Sequence, residues 1–189
     1  MSSSSYTISN PLPLIAGWLK ARGLEIYQSD DNPDFLYLTT ELDNFSTKVS
    51  VEFAADVVHL YALYPLKVQR RRRSAAAAFL HLLNASLHHL QWLLDPNDGG
   101  IACRVNLDLF QRPLDELILG RGLFRLLEGM DVVAPALLGV LDGRLVPTVA
   151  LELAKSSLAE SLRRQQTGAS SPTRSGGVAL PACIDPLVN

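Results

Sequence analysis

Cysteine is scarce in this chain, with Cys103 and Cys183 eighty positions apart, one in an alternating apolar run and the other near the C-terminal end. That spacing gives neither a disulfide framework nor a zinc-ligand set. Long apolar runs are missing too, and none approaches the ~20 residues a membrane-spanning helix needs. The opening MSSSSYTISN lacks the charged and apolar regions of a secretory signal. The expected compartment is therefore the cytoplasm, with no membrane partner. Neither sign of charge dominates, since the formal net charge is -2. Nucleic-acid-binding domains usually carry a basic excess, and this chain has none.

Catalytic signatures are also absent. No serine sits in GxSxG, no Walker sequence occurs, and GRGLF from Gly120 lacks the third glycine and preceding strand of a dinucleotide fingerprint. The four histidines, His59, His81, His88 and His89, show no HExxH spacing. Read as strand neighbours, His88 and His89 point to opposite faces and cannot share a metal. DPNDGG, from Asp95 to Gly100, offers calcium-loop positions one, three and six. Its twelfth position is Asn106, which has no carboxylate, so a hairpin turn is the better reading. The expectation is a protein without catalytic residues, cofactor or metal.

What the chain does contain is periodicity. Residues 1–9 are polar and serine-rich and read as disordered, and residues 10–166 read as one α+β domain. Residues 167–189, with GASSPTRSGG, read as a flexible tail. Leu12, Ile15, Trp18 and Leu19 recur at three and four, which predicts a helix over 11–22 stopped by Gly23. A short apolar and polar mix, Leu24 to Gln28, follows. Strict alternation in FLYLTTEL, TKVSVEFA and VVHLYALY then predicts antiparallel strands in a meander, with Leu36, Leu38, Thr40, Val49, Val51, Phe53, Val58, Leu60 and Ala62 facing the core. A central helix is predicted over 66–87. After it, Leu90, Trp92 and Leu94, the DPNDGG turn, and Ile101 to Leu109 read as a hairpin. Three C-terminal helical pieces complete the chain: one from Pro113, one over DVVAPALLGVLDG ending at Gly143, and one from Pro147 with Gly168 as its stop.

The block HLYALYPLKV entering the central helix, the stretch FLHLLNASLHHLQWLLDPNDGGIACRVNLDL with Asn84, Asp95, Gly99, Gly100 and Arg104, and the late DVVAPALLGVLDG together resemble the YbjN family. That family is similar in fold to the type III secretion chaperones. The likeness spans about residues 10–145 and is one of pattern, since no short signature defines the family. It implies a small non-enzymatic protein, usually dimeric, that holds an extended or helical segment of a partner, as chaperones and assembly factors do. YbjN-like proteins are also described as sensory transduction regulators. The segment after residue 145 departs from the family pattern.

Two features are candidates for partner binding. The run Arg70, Arg71, Arg72, Arg73 opens the predicted central helix, where consecutive side chains would fan around the axis instead of forming one patch. Solvated and ion-paired arginines, a clamp on an acidic partner, and phosphate contacts to nucleic acid are the three readings of it, in that order of preference. The aromatic residues Phe35, Tyr37 and Tyr61, with His59, fall on one face of adjacent strands, and Trp92 is a further candidate. Such a face can stack bases or cover a protein segment. With few basic residues on these strands, the protein partner, a peptide or tail segment bound by a homodimer, is the stronger expectation. A regulatory nucleic-acid binder using Arg70–Arg73 is the alternative.

Overall fold

A computed structural model describes residues 10–109 and 114–166. The predicted disordered N-terminus, the flexible tail, Pro113 and Gly168 lie outside the described residues. The first helix, α1 (Leu12–Ala21), begins where Asn10 Oδ1 accepts the Leu12 N–H at 2.9 Å. It ends before Gly23, whose φ of 76° supplies the left-handed stop. Leu12, Ile15, Trp18 and Leu19 are its buried face, as their spacing predicts.

Four strands follow in a meander: β1 (Ile26–Ser29), β2 (Asn32–Glu41), β3 (Ser46–Ala54) and β4 (Val57–Leu63). After the central helix comes the hairpin of β5 (Gln91–Leu94) and β6 (Ile101–Asp108). All pair antiparallel in one six-stranded sheet, order β1-β2-β3-β4-β6-β5. Because side chains alternate along a strand, the sheet sorts its residues onto two faces. Leu36, Leu38, Val49, Val51, Val58, Leu60, Ala62, Trp92, Ile101, Cys103 and Val105 are buried in the core. Phe53 is only partly buried against it.

The central helix is shorter than its sequence suggests. The chain from Leu66 to Gln69 is non-helical, Arg70–Arg72 form a single 3-10 turn, and α2 proper runs Arg73–Ser86. The segment before it is tied to the hairpin instead. Val68 N–H donates to the Gly99 carbonyl at 2.8 Å, a contact so close that any Cβ on Gly99 would overlap Val68. His88 and His89 lie in a turn before β5 and not in a strand, so the opposite-face argument for them does not hold.

Among the described residues the C-terminal region holds two helices where three were expected. Helix α3 runs unbroken over Glu116–Asp142, and α4 runs Pro147–Gln166. Asp115 caps α3, its carboxylate accepting the Ile118 N–H at 2.7 Å. Pro135 sits inside α3 without ending it. A proline cannot donate to the carbonyl four residues earlier, here that of Asp131. That carbonyl accepts instead from Asn44 Nδ2 at 3.1 Å, and the Asp131 carboxylate takes the Asn44 backbone N–H at 3.0 Å. The β2–β3 turn thus supplies what the proline removes. Further back, Gly122 lets α3 approach the sheet, since a Cβ there would lie 2.9 Å from Leu107 and 3.3 Å from Leu60.

Candidate functional site

The described helices that pack on the sheet lie on one face of it. Register places Tyr27, Tyr37, Ser50, Tyr61, Arg104 and Gln91 in one row across the other face. Beside it runs a second row, Phe35, Glu52, His59 and Asn106. Tyr27 is 61% exposed and Tyr37 38%, and Leu63 on a third row is 45% exposed. Phe35 stacks on Tyr37 with ring centroids 6.0 Å apart and planes 10° from parallel. His59 and Tyr61 sit 6.1 Å apart, His59 Nδ1 is 2.8 Å from Asn106 Oδ1, and the Arg104 guanidinium lies 5.8 Å from the Tyr61 ring centre. The result is a broad, aromatic, nearly neutral surface, rigid because every ring stands on paired strand.

Phe35, Tyr37 and Tyr61 therefore lie together, as their alternation predicts. Trp92 does not join them. It is 2% exposed on the helix-covered side, so its ring offers no contact surface. Tyr27 escapes the sequence reading because β1 is only four residues long. Its pairing with Tyr37 is what places it on the open face.

The arginine run divides: Arg70 and Arg71 are exposed, in keeping with the solvated reading, whereas Arg72 and Arg73 bond backbone carbonyls of the fold. Arg72 Nη2 reaches the Asp142 carbonyl at 3.4 Å, at the negative end of the α3 dipole. Arg73 donates to the carbonyls of Pro96, at 2.6 Å, and Asn97, at 3.2 Å, and so fastens the hairpin turn to α2. Arg71 bonds Gln69 at 3.0 Å, and Arg70 is exposed. Among the described residues none of the four pairs with a carboxylate, so the ion pairs of the first reading are not formed there.

The DPNDGG segment forms the hairpin turn. Asp95 Oδ1 accepts the Asn97 N–H at 2.7 Å, and Asp98 accepts the Gly100 N–H at 2.7 Å and Lys67 Nζ at 2.5 Å. Lys67 and the Gly100 N–H hold the Asp98 carboxyl below the usual carboxylate range. Both aspartates thus serve the turn itself. Cys103 is buried between sheet and helices, and desolvation pushes its thiol far above the ordinary range, which leaves it a poor nucleophile.

A second feature had no signal in the sequence. At the outer edge of the sheet, β5 begins only at Gln91, opposite Arg104, while β6 runs on to Asp108. The space where β5 would have continued is an open groove of about 670 Å³, bounded by the α2–β5 turn and by α3. Arg104, Arg121, Arg125, His88 and His89 line it over a floor that includes Leu87, Val105 and Ile118.

No protein-family model matches the chain, and no curated protein sequence does. Among solved structures, the crystal structure of YbjN from E. coli, a candidate transcription regulator, superposes with a TM-score of 0.53 over 73% of this chain and 95% of that one, at 16% identity. The chain has a YbjN-like α+β fold, in agreement with the resemblance read from its sequence. No described helix is long and apolar enough to cross a membrane.

Proposed function

We propose that this protein is a non-catalytic, chaperone-like adaptor or assembly factor that holds a peptide or tail segment of a partner protein against the open face of its sheet. The observation that carries the reading is the aromatic surface itself: Tyr27, Phe35, Tyr37 and Tyr61 on one face with no described helix over them. Tyrosine gives large contact area at small entropic cost and is enriched where proteins bind proteins. The near balance of charge, with Lys48, Glu52 and Arg104 interspersed, favours a polypeptide over a polyphosphate backbone. A homodimer fits the exposed stripe of Val146, Val149 and Leu153 on and before α4, which are 60%, 53% and 42% exposed. Capture of partners followed by mass spectrometry should return one specific protein. Repeated empty captures would overturn the reading.

The alternative is a regulatory nucleic-acid binder using Arg70–Arg73, toward which the description of YbjN as a candidate transcription regulator leans. Arg72 and Arg73 are already engaged with backbone carbonyls, which leaves less free charge for phosphate. Titration with DNA and RNA at low salt decides it: a salt-dependent affinity lost on replacing the four arginines with alanine would support it.

A further inference from the structure

We propose that the groove at the β6 edge is a second binding site, which accepts an acidic, extended polypeptide segment as an added strand. The groove adjoins the open face, sharing Gln91, Arg104 and Asn106 with its rows, but it does not use the tyrosines that carry the proposed function.

The backbone supplies the first half of the case. Backbone groups of a strand point alternately to its two neighbours. On β6 the odd positions face β4, since Leu109 N–H bonds Asp56 O and Ile101 O accepts Tyr64 N–H. The even positions face the outer edge, and Gly100 O accepts Asp95 N–H on that side. Ala102 and Arg104 are satisfied there by Leu93 and Gln91. Asn106 comes next, and no described strand lies beside it. Its N–H and C=O therefore open into the groove, as an edge that strand addition can use. The neighbouring edge position is handled otherwise. On β5, the outward N–H and C=O of Trp92 are both taken by the Asn84 side chain, at 2.7 and 2.9 Å. One edge position is closed by a side-chain amide and the next is left open.

Charge supplies the second half. Arg121 and Arg125 are one helical turn apart on the same side of α3, are exposed, and form no ion pair among the described residues. Arg104 projects from β6, and His88 and His89 stand on the opposite wall. Among the described residues no carboxylate lines the groove, and Asp108 stands beyond it at the end of the strand. Guanidinium groups suit bidentate capture of carboxylates. Arg104 donates to Gln91 Oε1, while Arg121 and Arg125 have no carboxylate partner among the described residues, so the open strand edge and its arginines match a segment that brings both a free backbone and alternate acidic side chains.

The test uses a fluorescent peptide of alternating Thr and Glu, measured by anisotropy against the full chain. Wild type should bind it in preference to a Thr-Lys peptide. Arg121→Glu with Arg125→Glu should weaken binding at least about tenfold, while circular dichroism stays unchanged. Methylating alternate backbone nitrogens of the peptide, which keeps its charge and removes strand pairing, should weaken binding to wild type similarly. Tyr27→Thr with Tyr37→Thr should leave it unaltered, which separates this site from the open face. No binding by wild type, or equal binding of the methylated peptide or of an oligonucleotide of like charge, would overturn the proposal.

Discussion

Asn84 does at one side chain what a whole strand would do, holding both the N–H and the C=O of Trp92 while that ring fills the core. Asn84→Ala leaves two main-chain groups without partners, and a lost buried partner costs about 1–3 kcal/mol. Urea denaturation should show a loss of that size. Tyr64 makes a pH-dependent contribution. Burial, aided by the charge of Asp142, raises its phenol from 10.0 to about 12. Above pH 10.0 the unfolded chain releases a proton that the folded chain keeps, so this contribution is present below that pH and is lost as pH rises through about 12. The buried thiol of Cys103 adds loss of the same sign on the alkaline side. Stability measured across pH 10–12 should fall less steeply in Tyr64→Phe than in wild type.

At the scale of elements, the strands were legible because a period of two is a local property, and Leu36, Leu38, Val49 and Val51 obey it without help from distant residues. Helix α3 was not, because its continuity through Pro135 depends on Asn44, eighty-seven positions away. The start of α2 was misplaced for a related reason. Residues 66–69 have helical propensity, but Val68 is held by Gly99 across the hairpin. The arginine run looked like a site since sequence shows charge and not what the charge touches; the carbonyls of Asp142, Pro96 and Asn97 come from two other elements. Arg121 and Arg125, which form no ion pair among the described residues, do not stand out within a helical pattern. Helix α4 carries its own test. If Val149 and Leu153 form the contact between copies, Val149→Glu with Leu153→Glu should convert a dimer into a monomer in sedimentation equilibrium, with helix content unchanged.

The whole molecule is a sheet with one committed face and one open one. Helices α1, α2 and α3 bury the first; the second presents Tyr27, Tyr37, Tyr61 and Phe35 in two adjacent rows, with the basic groove at its outer edge. Half of this candidate surface was readable from alternation alone. Tyr27 and the exclusion of Trp92 needed the register and the direction of the hairpin. Removing aromatic rings from an exposed strand surface costs little stability, whereas removing them from a binding surface costs affinity. The decisive measurement is therefore the affinity of the captured partner, by isothermal titration calorimetry, for wild type and for a triple variant carrying Tyr27→Thr, Tyr37→Thr and Tyr61→Thr. The predicted result is a loss of at least about a hundredfold, from rings worth roughly 1 kcal/mol or more each, with unfolding transitions that coincide; an affinity unchanged in the triple variant would contradict the assignment of the open face as the binding surface.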